Sequence, residues 1–445
     1  MFRNPLKSNL YTELTDFFGT DPSTLAIDSI RFMAVDLPNV QAAMERICES
    51  ERAAHRVLGI SSVDLLNNSL GNLLVQKAPL GPVSYTNVRV AQEAFLRCAV
   101  NSVHFVEWPG AKVAVHVRKE DHAVDYALEI MAGTEELSRE FMKRLWQSVD
   151  SENVYRGRII ALESDDYTAI DPENYTIAFR TIQMVRQEDI VLPDGVMEVI
   201  QRNTSGFFEH ASALRRSGRS VKRGLLLHGA PGTGKSYTAK WVAQSVEGLT
   251  VILVAGNQLW MIKQICRLAA ALSPSLVILE DVDLVASRRD GVRHPAYELT
   301  LHDLLNEVDG MAPDAEVLFL LTTNKPEVIE PAIASRPGRI DQAIEFPLPD
   351  SRCRKRLFDL YSYGLDVRLE RLDEFVARTE GASPAFIQEL FRKAAMFAAE
   401  DTAHSIGLLR VTDEHCELAL RELLFGGGDL TRNLLGFRSS QLNLL

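Results

Sequence analysis

Lys235 and Ser236 close an eight-residue glycine-rich loop, Gly229-Ala230-Pro231-Gly232-Thr233-Gly234-Lys235-Ser236. It fits the spacing G-x-x-x-x-G-K-[ST] at every fixed position, with the apolar run Gly224–His228 leading into it and a helical pattern, Lys235–Val246, leading out. Gly232 and Gly234 carry no Cβ, so backbone N–H groups can turn inward around a polyphosphate. Lys235 reaches toward the outer phosphates, the Ser236 hydroxyl is placed to ligate Mg²⁺, and the helix presents its positive N-terminal end to the same anion. Tyr237 follows directly and joins Gly229, Ala230, Pro231, Gly232, Thr233, Gly234, Lys235 and Ser236 as an expected nucleotide contact.

The second chemical signal is acidic. The apolar run Leu276–Leu279 ends in Glu280-Asp281-Val282-Asp283. Carboxylates at the carboxyl end of a buried strand need solvation or a partner, and in open α/β sheets that end is where chemistry sits. One acid is suited to the Mg²⁺ shell, for which Glu280 is assigned with Ser236. Its neighbour is suited to polarising an attacking water. Asp283 also fits a purely capping role. The run Leu320-Leu321-Thr322-Thr323-Asn324 places an amide where it can orient that water, although Asn after a strand is also ordinary turn chemistry. Ala334-Ser335-Arg336-Pro337-Gly338-Arg339 sets two guanidinium groups around a Pro-Gly turn, a way to present them to phosphate.

Elements must hold these groups in place. Gly224–His228, Thr250–Val254, Leu276–Leu279, Val317–Thr322 and Ala343–Phe346 read as short buried strands alternating with helical patterns, which implies a parallel sheet with helices on both faces. Helical periodicity follows in Cys353–Tyr361, Arg371–Thr379, Pro384–Glu400 and Thr412–Leu424. Upstream, Ser102–Trp108 and Lys112–Arg118 read as strands joined through Trp108-Pro109-Gly110-Ala111. Glu135–Val149 reads as a helix capped by Thr134, and Asn153–Glu163 with Tyr175–Arg180 as a further strand pair. The 445 residues, 46% of them apolar, suffice for two or three domains. A net charge of −12 argues against nucleic-acid or anionic-membrane binding over the whole surface. Five scattered cysteines without a Cys-x-x-Cys pair suit a reducing compartment better than a disulfide framework or a zinc site. Met1–Thr20 lacks a signal-peptide core and no run approaches the ~20 apolar residues of a membrane helix, so a soluble cytoplasmic protein is expected.

Taken together, Gly229–Ser236, Glu280–Asp283, Leu304-Leu305-Asn306-Glu307-Val308-Asp309-Gly310, Thr322-Thr323-Asn324 and Ser335–Arg339 resemble, in order and spacing, the AAA ATPases. The resemblance covers about Ile190–Glu400. It implies an α/β fold with a parallel-sheet P-loop AAA+ core (186–350), a C-terminal helical lid (351–425), a tail (426–445) and an N-terminal α+β recognition or assembly domain (1–185). It further implies Mg²⁺-dependent ATP hydrolysis in a ring, typically a homo-hexamer, that remodels a protein client bound by the N-terminal region. By that resemblance Lys235, Glu280, Asp281 and Asn324 do the chemistry, with Asn324 in the sensor-1 place. Arg336 and Arg339 are fingers lent to the neighbouring subunit, and Asp309 helps position the incoming finger. Ile190-Val191 and Gly381–Ala385 line the adenine. The usual Asp-Glu order is reversed to Glu280-Asp281, which is similar to the Bcs1-type subgroup without its membrane segment. Leu259-Trp260-Met261 stands where unfoldases carry a pore loop, but no glycine follows, and Trp260 fits a pore or a core equally. Basic residues at Arg215, Arg216, Arg219, Lys222 and Arg223, and at Arg288, Arg289 and Arg293, leave a nucleic-acid remodeller open, and the reversed acids leave open an ATP-gated scaffold with little turnover.

Overall fold

In the computed structural model the described residues are 9–61, 68–120, 125–163, 175–255, 258, 261–283, 301–329, 340–401 and 407–426, with the side chains of 301–305 and 425–426 left out. The chain forms two compact units, Met1–Arg180 and Thr181–Leu445.

The first unit is built on an antiparallel sheet. Its strands are β1 (Ile27–Met33), β2 (Ala54–Ile60), β3 (Leu80–Gly81), β6 (Ser102–Trp108), β7 (Ala111–Lys119) and β8 (Asp125–Ala132), in the order β1-β8-β7-β6-β2-β3. Trp108 pairs with Ala111, so the expected Pro109-Gly110 turn closes a two-residue hairpin, with Gly110 at φ 85°. One face of the sheet packs on helices α2 (Leu37–Ser50) and α4 (Glu135–Ser151) through Val113, Val115, Val117, Met44, Phe141 and Leu145. The other packs on α1 (Leu10–Phe18) and α3 (Leu70–Val75) through Val103, Phe105, Leu14 and Leu73. Thr134 caps α4 by accepting from the Leu137 N–H at 3.3 Å, as its sequence position anticipates. A separate hairpin, β4 (Ser84–Arg89) with β5 (Phe95–Val100), lays its inner side chains on the α2–α4 core.

One expectation fails here. The strand predicted over Asn153–Glu163 is confined to β9 (Ile159–Glu163), paired with β10 (Thr176–Phe179). The Asn153 carboxamide accepts from the Tyr155 N–H at 3.0 Å and its carbonyl from the Arg156 N–H at 3.1 Å, so local turn bonding holds 153–158 out of the ladder.

The second unit carries five parallel strands, β11 (Lys222–Gly229), β12 (Thr250–Val254), β13 (Ser275–Leu279), β14 (Val317–Thr323) and β15 (Gln342–Phe346), ordered β12-β13-β14-β11-β15. Every residue of β13 and β14 is buried, the signature of a sheet covered on both faces and the reason these runs read as unbroken apolar segments. Burying each such Leu, Val or Phe contributes about 1.5–3 kcal/mol before entropy is counted. Helices α5 (Val196–Asn203), α6 (Ser205–Arg216), α7 (Lys235–Val242), α8 (Ile262–Ala271) and α9 (Leu301–Gly310) belong to this unit. α7 is shorter than the predicted Lys235–Val246, because Gln244 and Ser245 bond back three residues to Trp241 and Val242 and tighten the end into turns. The lid that follows contains α10 (Ser351–Tyr361), α11 (Leu372–Arg378), α12 (Pro384–Asp401) and α13 (Asp413–Arg421) around Leu357, Phe358, Phe375, Phe386 and Leu390. The architecture is the expected α/β class with a second unit before it and helices after it. Among the described residues no helix is long and apolar enough to cross a membrane.

Candidate nucleotide site

The topology brings the carboxyl ends of β11, β13 and β14 side by side. His228 is level with Thr323, and Leu279 with Leu321, so Gly229–Ser236, Glu280–Asp283 and Thr322–Asn324 meet at one edge of the sheet.

Within the loop, Gly234 takes φ 99° as the residue that starts α7, a left-handed turn which aims the helix N–H groups back into the loop. Gly232, at φ 73°, is fixed by space as well. A Cβ there would lie 2.8 Å from both the Ala385 Cβ and the Ser383 Oγ, while its carbonyl accepts from the Ala385 N–H at 3.2 Å. The loop and the first turn of the lid helix α12 are therefore in direct contact. Thr233 Oγ1 ties the loop to itself by donating to the Ala230 carbonyl at 2.8 Å.

Lys235 is 5% exposed, and its ammonium donates to the carbonyls of Gly229 at 3.0 Å and Ala230 at 2.8 Å. Burial lowers its pKa to about 8, with Asp281 and Asp283 opposing that effect. Among the described residues its hydrogen bonds all go to neutral oxygens, so a nearby anion would favour its charge, and a glycine-rich loop at a helix N-terminus suits one. Ser236 is half-buried one residue on.

The acidic strand end divides its labour. Asp283 is 4% exposed and accepts from Thr323 Oγ1 at 2.8 Å and the Asn324 N–H at 3.2 Å, lacing β13 to β14. Among the described residues its bonds run to β14 and the residue after it, a positioning role in place of the helix cap that the sequence allows. Asn324 Nδ2 in turn donates to Asp281 Oδ1 at 2.9 Å, and the Asp281 N–H donates to Thr322 Oγ1 at 3.1 Å. Asp281 sits at φ 50°, a left-handed backbone that Asp tolerates better than Glu. Glu280 is exposed. The structure therefore joins Lys235, Asp281 and Asn324 as the sequence expects. It also adds Thr322, Thr323 and Asp283, whose hydroxyl and carboxyl types within the quoted motifs were the available signal.

Ile190 and Val191 are buried, at 7% and 8% exposed, and Val191 belongs to the same core as Phe358, Phe386 and Ile387. Tyr237 lies near the same segment: burial raises its hydroxyl pKa, with the Asp189 carboxylate adding to it and Arg186 opposing. Asp309 is exposed, and its carbonyl with that of Val308 accepts from Lys222 Nζ at 3.1 and 2.7 Å. Arg215 bonds Glu316 at 3.2 Å and the Asp314 carbonyl at 3.3 Å. Two members of the first basic cluster are thereby engaged within the fold. Ser335, Arg336, Arg339, Leu259, Trp260, Arg288, Arg289 and Arg293 lie outside the described residues, as does the tail from 427. All five cysteines are free and buried.

Residues 225–348 match the family model described as ATPase family associated with various cellular activities (AAA), and this stretch is an AAA ATPase domain. The chain is also similar to a proteasome-activating nucleotidase of Methanocaldococcus jannaschii, 29% identical over 59% of this chain and 65% of that protein. A probable 26S proteasome regulatory subunit 4 of Caenorhabditis elegans is 27% identical over 62% and 66%, and a 26S proteasome regulatory subunit 4 homolog B of Arabidopsis thaliana 33% identical over 43% and 46%. The likeness thus spans less than two thirds of each of these relatives. None of the three is of the Bcs1 type, so that finer likeness stays an expectation from the Glu280-Asp281 order.

Proposed function

We propose that this chain is a Mg²⁺-dependent, ring-forming ATPase that uses hydrolysis to remodel a protein partner recognised by its first 185 residues. The observation that carries the reading is the junction of a buried Lys235, hydrogen-bonded to the loop carbonyls, with the Asp281–Asn324 pair at adjoining strand ends. Amides of Gly232–Ser236 and the Lys235 ammonium bind and orient the β- and γ-phosphates, with Tyr237, Ile190 and Val191 on the base side. The oxygen donors fit a hard cation: Ser236 and Glu280 would hold Mg²⁺, which supplies charge neutralisation of the phosphates. Asp281 accepts hydrogen bonding from the attacking water, and Asn324 fixes the direction of that carboxylate. Arg336 and Arg339 of one protomer stabilise charge on the nucleotide of the next, so a homo-hexameric ring completes the site. The relatives are named for the proteasome, which supports a polypeptide as the object of the work.

The test is ATP turnover of wild type, Lys235→Ala and Arg336→Ala, with light scattering to follow assembly. Loss of binding in the first, and loss of turnover with retained binding in the second, are expected. Turnover that survives Arg336→Ala in a monomer refutes the ring, and tight binding with negligible wild-type turnover points instead to an ATP-gated scaffold.

A further inference from the structure

The hairpin β4–β5 has two unlike faces. Thr86, Val88, Leu96 and Cys98 alternate with Tyr85, Asn87, Arg89, Phe95 and Arg97, and the register pairs Asn87 with Arg97 and Arg89 with Phe95. Val88, Leu96 and Cys98 pack on the core of the first unit, so the second set faces outward. Tyr85 is 41% exposed and Phe95 62%. Arginine covers both rings: the Arg97 guanidinium lies 3.6 Å from the Tyr85 ring centre and that of Arg89 lies 5.8 Å from the Phe95 ring centre.

These two arginines differ from others in the same unit. Arg46, Arg56 and Arg118 each meet a carboxylate. Among the described residues Arg89 and Arg97 meet none, and Arg89 donates only to the Gln92 carbonyl. In a chain of net charge −12, two guanidiniums that meet no carboxylate among the described residues, on one exposed hairpin face, stand out. Stacking on a ring holds a guanidinium plane while leaving its N–H edge free for a forked bond to a carboxylate. Diagonal neighbours on such a ladder are about 7–8 Å apart, the reach of two carboxylates at alternate positions of an extended peptide.

We propose that this face docks an acidic, aromatic-containing extended segment of a partner protein, its carboxylates on Arg89 and Arg97 and its apolar side chains against Phe95 and Tyr85. The proposal rests on the reading of residues 1–185 as the partner-recognising part and names the chemistry recognised. A nucleic acid is the lesser fit, since two cations within a strongly acidic chain neutralise only about two phosphates.

The test uses the full chain and a short fluorescein-labelled peptide alternating Glu and Tyr, read by anisotropy. The Gln-Tyr counterpart and labelled oligo-dT serve as comparisons. Wild type is expected to prefer the Glu peptide, with Arg97→Ala or Arg89→Ala weakening it about tenfold and the double variant abolishing the preference. Because these side chains are exposed, the variants should keep the wild-type melting temperature and nucleotide binding. Lys235→Ala should bind the peptide unchanged, so failure of the nucleotide reading and failure of the docking face are told apart. Equal affinity for the Glu and Gln peptides, binding untouched in the double variant, or tighter arginine-dependent binding of oligo-dT would each overturn the proposal.

Discussion

Nucleotide binding should take up a proton at alkaline pH, and the reason lies in Lys235. Its buried ammonium has a pKa of about 8 against the ordinary 10.5, with burial as the leading cause. That gap corresponds to roughly 3 kcal/mol of disfavoured charge. Because the folded value is the lower one, the unfolded chain binds more protons between about 8 and 10.5. The position therefore penalises folding fully below pH 8, and the penalty fades as pH rises through that window. A polyphosphate seated in the loop reverses the balance by giving the cation a partner, which raises its pKa again. At pH 8.5 Lys235 of the free protein is about one-quarter protonated, so binding draws in about three-quarters of a proton and apparent affinity falls about fourfold relative to pH 6.5. Titration calorimetry of Mg-ADP in two buffers of different ionisation enthalpy, at pH 6.5 and pH 8.5, reads the uptake directly. Lys235→Arg supplies the control, since guanidinium stays charged throughout and should show none. An uptake at pH 8.5 that is equal in wild type and Lys235→Arg, or absent in wild type, would refute the account.

Asp281→Asn should retain ATP binding and the left-handed backbone while reducing turnover at least about a hundredfold. Asp281→Glu, which restores the commoner acid at that position, should cost about 1 kcal/mol in stability at φ 50° without raising turnover, as melting and phosphate-release assays will show. Gly232→Ala forces a Cβ to 2.8 Å from Ser383 Oγ and Ala385 Cβ at a positive φ. Nucleotide affinity should drop at least about tenfold and melting temperature by several degrees, and a variant that binds normally would disprove the close loop–lid contact. Lys222→Met removes two bonds to the carbonyls of Val308 and Asp309, so thermal melting should register a loss of about 1–3 kcal/mol.

The glycine loop was legible because its spacing serves one geometry, and the buried strands because both faces of a parallel sheet must be apolar. β13 and β14 coincide with their predicted runs to within a residue. What escaped prediction depends on partners distant in sequence. Asp283 reads in the sequence only as a capping acid, and the parallel register of β13 with β14 is what delivers Thr323 and Asn324 to it. Lys222 looked like one more member of a basic cluster until the fold laid the carbonyl end of α9 over it. The left-handed turn at Asp281 is likewise invisible in composition, although it gives the reversed acid order a physical reason. A short side chain suits that backbone, and Asn324 then fixes where its carboxylate points.

That geometry bears on how the site and lid act together. The Gly232 carbonyl meets the lid helix at the Ala385 N–H, while Val191, two helices upstream of β11, is sunk in the lid core with Phe358, Phe386 and Ile387. The C-terminal helices thus meet the preceding part of the unit at two places, the Gly229–Ser236 loop and the segment of Val191. A rotation of the lid must strain the Gly232–Ala385 contact or carry Val191 with it, because close-packed cores shift between discrete arrangements rather than deforming smoothly. A change at the phosphates therefore has a short path to the lid: from Lys235 through the loop carbonyls it holds, to Gly232, and into the first turn of α12.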